Sequence, residues 1–142
     1  MSVDTSHTTP ASSRVPAGAS LRAAQVTTVL TLVVILSMGV TGGQLVDRGE
    51  GALDLHALSA IVLHVISALA ALSLIAYRVS GASRAWWPPV LGVVVFAYSF
   101  YQAWLGSHGP IAIHVPGALA LTGAAAWLAA WTFLHGRLAP RA

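Results

Sequence analysis

Four apolar runs, each close to the ~20 residues a helix needs to cross a bilayer, dominate the chain. They cover residues 23–42, 52–77, 86–105 and 111–134, and no Asp, Glu, Lys or Arg interrupts the interior of any of them. In lipid the backbone must satisfy its own N–H and C=O groups, so runs of this length read as transmembrane helices. The gaps between them are short, which makes sequential helices antiparallel neighbours. Gly42-Gly43, Gly81 and the stretch Gly106 to Pro110 mark the turns. The expected fold is all-α: an integral-membrane up-down four-helix bundle. Composition agrees, with 8% of residues charged against about 25% in soluble domains.

Residues 1–20 are rich in Ser, Thr, Pro and Ala with few large apolar side chains. Such a stretch buries too little surface to offset its ordering entropy and is expected to be a disordered tail. A cleaved signal peptide is not expected, because the first apolar run begins too late and is too long. Residues 21–137 form the transmembrane domain, and 138–142 a short C-terminal tail.

The basic residues set the orientation. Arg14, Arg22, Arg78, Arg84, Arg137 and Arg141 fall on one side, and Arg48 stands alone on the other beside Asp47, Glu50 and Asp54. The positive-inside rule places both termini in the cytoplasm of a multi-pass cell-membrane protein. Dispersed at helix ends, these arginines make a topology signal, and no nucleic-acid partner is expected. Tyr77, Trp86 and Trp87 are expected at the inner interface and Trp104 at the outer one.

Histidines carry the only concentrated chemistry. His56 is the fifth residue of the second run and His114 the fourth of the last. At ~1.5 Å per residue both lie about one turn below the outer surface. Helices two and four are diagonal in an up-down bundle, so two imidazoles at one level leave a gap where a haem fits, each an axial ligand. Gly117 and Ala118 follow His114 on its own face, as Ser59 and Ala60 follow His56, keeping both faces small. The bland alternative is a pair of interfacial histidines bonded to water or backbone. An ionisable residue inside a membrane is costly and by default a functional candidate, and the matched depth sets this pair above a lone histidine.

His64 lies eight residues past His56, ~12 Å deeper and turned by ~80°. It is either an alternative ligand, a proton-relay group or a haem-edge contact, or a core histidine bonded to Thr27, Thr28, Thr31 or Tyr98. His108 is expected in the outer loop, and His135 at the inner end of helix four with no second histidine facing it. His7 lies in the tail. Gln102, in a patch with Tyr98, Tyr101 and Trp104, suits a partner to a haem ligand or propionate. Pro116 should free the carbonyl of Ala112 and bend helix four beside His114. The chain has no Cys, which excludes thiolate ligation, disulfides, iron–sulfur clusters and covalent haem attachment. The cofactor expected is one non-covalent haem b per chain, its iron held by His56 and His114.

The stretches Val40-Thr-Gly-Gly43, Leu55-His56-Ala-Leu-Ser-Ala, Gln102-Ala-Trp-Leu-Gly106 and His114-Val-Pro-Gly-Ala118 resemble one four-helix half of the haem A synthase family. The resemblance covers roughly residues 23–134. It implies a haem-b scaffold with a histidine near the outer ends of helices two and four. Only one half is present. The family's glutamate just before the helix-two histidine has no counterpart, the nearest acid being Asp54, and the family's outer-loop cysteine pair is missing. The resemblance therefore implies the haem-b scaffold more securely than the oxygenation chemistry, and whether the chain makes haem A stays open.

The leading expectation is a small b-type cytochrome of the membrane, transferring electrons or handling haem. One alternative is a cofactor-free accessory or assembly subunit of a respiratory complex, suggested by many small-residue helix faces. The other is a half-size haem A synthase-like enzyme acting as a homodimer. Besides the lipid bilayer, the expected partners are a respiratory-chain protein and a second copy paired in parallel through Ser37 and Thr41 of helix one.

Overall fold

The computed structural model describes residues 16–138, with side chains through Gly136. It is all-helical in that range: α1 Ala17–Val46, α2 Ala52–Val79, α3 Trp87–His108 and α4 Ile111–Leu138. All four are long and apolar enough to cross a membrane. Residues 1–15 of the expected tail, and 139–142, lie outside the described range.

The helices outrun the apolar runs at most of their ends. Residues 17–20, assigned above to the tail, are the first turn of α1. The Pro16 carbonyl accepts from the N–H groups of Ala19 and Ser20, and the Ser20 hydroxyl donates to the Ala17 carbonyl at 3.0 Å. Proline suits a helix start, because the N–H it lacks would have had no partner there. Gly42, Gly43 and Gly106 also sit within helices and make no turn. A mid-helix glycine costs ~1 kcal/mol, whereas an unpaired backbone group in lipid costs several, so the helix continues through the glycine until water is reached. The α1–α2 reversal instead uses Arg48 and Gly51, with φ of 59° and 71°. Gly81, at φ 84°, does turn the chain as expected.

Each helix packs on its sequence neighbours and α4 closes on α1, while the diagonal pairs have no close backbone approach. The contacts pair opposite ends. Gly42 of α1 faces His56 near the start of α2, and Gly106 of α3 faces His114 near the start of α4. Gly92 of α3 brings that backbone onto Ala71 and Leu74 late in α2. Gln25 of α1 donates to the Thr132 carbonyl late in α4 at 3.3 Å. The core, built on Ala24, Ile35, Leu63, Leu74, Val95, Leu121, Ala125 and Leu128, fills the centre.

Buried serine and threonine hydroxyls within the helices donate to carbonyls of their own helix, whereas the Tyr77 hydroxyl is buried without a partner. Thr28 donates to Ala24 at 2.7 Å, Ser67 to Leu63 at 2.6 Å and Ser99 to Phe96 at 2.6 Å. This back-bonding lets small polar residues sit in a dry interface at no cost in orphaned groups. Only 11–28% of the most apolar window of each helix is buried. Val26, Val33, Leu36, Leu58, Ile61 and Val65 are among the many large apolar side chains left outside. An apolar exterior over a sparse core is the pattern of a helical bundle solvated by lipid.

Tyr77 departs from the interfacial position expected for it. It is 2% exposed and packs edge-on against Trp131 and His135, at 6.4 and 6.0 Å between ring centroids. His135 in turn stacks on Trp131 at 4.8 Å. The tyrosine is drawn inward because α2 and α4 end together there, and their aromatic rings fill the space between them. Trp86 does remain outside, under the Arg78 guanidinium at 4.3 Å.

Candidate functional site

His56 and His114 each fall in the first turn and a half of their helices, at the fifth residue of α2 and the fourth of α4. Both are half-buried.

His56 is held from α1. Its Nδ1 stands 2.9 Å from the Thr41 hydroxyl oxygen, and that same hydroxyl reaches the Met38 carbonyl at 3.1 Å. A hydroxyl has one proton. When it goes to Met38, the Thr41 oxygen accepts from His56 Nδ1–H, and the Nε2 lone pair is left free. Fixing a ring through one nitrogen so that the other can ligate is how metal-binding histidines are oriented.

His114 is held from α3. A Cβ built on Gly106 would lie 3.1 Å from its Cε1, 3.5 Å from Nδ1 and 3.6 Å from Nε2, so the imidazole occupies the place a side chain would take. Its Nδ1 is buried and has no hydrogen-bond partner. An orphaned buried nitrogen costs about 1–3 kcal/mol.

The other candidate residues divide. Gly117 is buried, but the space beside it is taken by the Gln102 amide and the Tyr98 hydroxyl, both from α3. Ala118 is half-buried. Gln102 is 5% exposed and donates through Nε2 to the Tyr98 hydroxyl at 2.9 Å. Its Oε1 is buried without a partner, and it makes no hydrogen bond to His114.

His64 stands apart from the pair. Its ring stacks on Phe100 at 3.9 Å and 18°, and its Nε2 is buried and unpartnered. The hydrogen bond expected from Thr27, Thr28, Thr31 or Tyr98 does not form. The threonines donate to carbonyls of their own helix, and Tyr98 pairs with Gln102. His108 closes α3 rather than lying in a loop; it is exposed, stacked on Trp104 and bonded to Ser107 at 2.7 Å.

Thr41 is the residue that sequence reasoning misplaced, having put it on a lipid face for pairing with a second copy. Its hydroxyl turns inward to His56 instead. A signal for this was present: Thr41 lies five residues before the end of α1 and His56 four residues after the start of α2. Residues equally far from a tight turn meet at one level in an antiparallel pair.

Among the described residues, no three of His, Cys, Asp and Glu come together to hold a metal ion. Zinc bound by side chains wants three or four ligands. Two imidazoles suit an iron whose four equatorial positions belong to a macrocycle. Here one imidazole is anchored to a hydroxyl of α1 and the other carries a buried nitrogen with no partner. An open apolar groove of about 230 Å³ lies deeper, between α3 and α4, lined by Val94, Val95, Tyr98, Ala120, Leu121 and Ala124. Set against protein-family models, curated proteins and solved structures, the chain matches none of them.

Proposed function

We propose that the chain is a small b-type haem protein of the cell membrane, one haem per chain, with His56 and His114 as axial ligands. The observation that carries this reading is the Thr41–His56 bond, which anchors one imidazole through Nδ1 at the start of α2, while His114 at the start of α4 holds a buried Nδ1 with no partner. The end-to-end contacts of α1 with α2, α3 with α4 and α1 with α4 support an up-down arrangement with His56 and His114 at one end. The arginine distribution supports the outer face for that end and a cytoplasmic location for both termini.

A haem held by two neutral imidazoles supplies one-electron redox chemistry at an iron with no open coordination position. This suits electron transfer or haem handling better than oxygen binding. The protein's own part is orientation and exclusion of water. Thr41 anchors the His56 ring through Nδ1, and Gly106 admits the His114 ring. A second copy, or a respiratory-chain protein, would meet this unit on the exposed face of α1 around Ser37, since Thr41 faces inward.

The test is the haem content of protein purified in detergent from haem-replete cells. Acid–acetone extraction should release one haem b per chain. A colourless protein would overturn the reading in favour of a cofactor-free subunit. Thr41→Val keeps the shape and removes the hydroxyl. Loss of such an orienting partner costs 10–100-fold in metal affinity, so haem should be lost to apomyoglobin at least tenfold faster than from the unaltered chain.

A further inference from the structure

We infer that Arg78 and Trp86, at the α2–α3 reversal, bind the phosphate of an anionic phospholipid whose headgroup carries no amine. The Arg78 guanidinium lies 4.3 Å over the Trp86 ring, and its Nε is buried without a partner. Among the described residues, none accepts a hydrogen bond from the two Nη atoms and no carboxylate pairs with the charge. A guanidinium carries five N–H donors and no acceptor, and it stays protonated. The indole meets the flat face of the cation and takes none of those protons.

The ordinary duty of an arginine at a helix end, bonding the last carbonyls, is done here by other groups. The Ser80 N–H goes to the Ala76 carbonyl and the Gly81 N–H to that of Arg78. The Ser80 hydroxyl donates to the Tyr77 carbonyl at 2.8 Å. Arg78 is left turned toward Trp86. Nor does an acid stand close by. The acids of the described range are Asp47, Glu50 and Asp54, all around the α1–α2 reversal. Even Asp54 is ~36 Å away along α2, at ~1.5 Å per residue.

The place of the pair says which anion completes it. Arg78 is the last residue but one of α2, and Trp86 immediately precedes α3. Both therefore stand at an edge of the hydrocarbon, where an indole settles at the level of the headgroups. Trp86 is 59% exposed, so its ring holds the guanidinium at the depth of the lipid phosphates. A planar guanidinium offers two parallel N–H groups that match two phosphate oxygens. With Nε covered, the phosphate approaches end-on, at the Nη pair. Arg84, exposed in the same short reversal, adds to the attraction for anionic lipid. A choline or ethanolamine headgroup brings a cation of its own, and residues 79–87 hold no carboxylate to receive it. A glycerol headgroup brings no cation, so phosphatidylglycerol has the chemistry that the site selects.

The test is a scintillation-proximity titration of the full chain in dodecylmaltoside with tritiated dioleoylphosphatidylglycerol. Saturable binding is expected, displaced by the unlabelled lipid roughly tenfold better than by dioleoylphosphatidylcholine. Arg78→Gln should weaken it about tenfold or more, the worth of a charge-assisted hydrogen bond. Trp86→Leu should weaken it about threefold, as loss of an exposed cation–π contact does. Arg22→Gln removes a charge from the start of α1, at the same end of the bundle, and should bind as the parent does. The helical circular dichroism of all three variants should match that of the parent. Absence of saturable binding would overturn the assignment, as would equal displacement by the two lipids or binding unchanged in Arg78→Gln. A loss in Arg22→Gln as large as in Arg78→Gln would overturn it too, because diffuse surface charge would then be the cause. Displacement by millimolar inorganic phosphate would give the pair to a free anion and overturn the lipid.

Discussion

Valine in place of Gly106 is expected to strip the protein of the proposed haem while leaving its helices at least as stable. The reasons act in opposite directions. In the middle of a helix, glycine is ~1 kcal/mol worse than alanine, so a side chain at 106 favours α3. The same side chain has no room, because its Cβ would stand 3.1 Å from His114 Cε1, and the branched carbons of valine are fixed close to the backbone. The imidazole must swing away, and ligation is lost with its direction. Haem occupancy should fall at least tenfold, with Gly106→Ala intermediate because a few tenths of an ångström relieve its contact. Haem content and the melting midpoint in detergent, measured on the same samples, check this. Full haem occupancy in the valine variant would mean that His114 is not a ligand.

Gly117→Ala is expected to destabilise the bundle directly. The added methyl would overlap the Gln102 amide nitrogen and come within 2.6 Å of the Tyr98 hydroxyl. Either α3 and α4 separate or the amide leaves its partner. Overpacking of this kind costs about 1–3 kcal/mol, and stranding a buried polar group adds about 1–3 kcal/mol. Truncating the amide should return most of the loss, so the double variant Gln102→Ala with Gly117→Ala should be more stable than Gly117→Ala alone. Neighbours in contact couple by about 0.5–3 kcal/mol, a range that denaturation by SDS in mixed micelles resolves. Additive losses would show that the glycine is not there to accommodate the amide.

The helical architecture was legible because bilayer thickness imposes one length on every span. Runs of twenty or so apolar residues with charges only at their ends leave few alternatives, and all four helices appear where the runs lie. Helix ends were less legible. Glycine is a turn signal in water, yet Gly42, Gly43 and Gly106 continue their helices, because lipid penalises a broken backbone more than it penalises glycine. The two imidazoles could be placed by counting residues from helix starts. What holds them could not. Thr41 and Gly106 act across helix pairs, and their roles depend on which face each helix turns inward. With apolar residues all round every helix, the sequence carries little record of that face. The same ambiguity explains Tyr77, which reads as an interface anchor and is instead buried against Trp131.

The central claim is joint ligation by His56 and His114, and reduced-minus-oxidised absorption spectra of three purified proteins test it most directly. The unaltered chain should show the sharp bands of a low-spin b-type haem. Those bands should be absent from both His56→Ala and His114→Ala, with the helical circular dichroism of all three alike. A low-spin spectrum that survives intact in either variant would contradict the account.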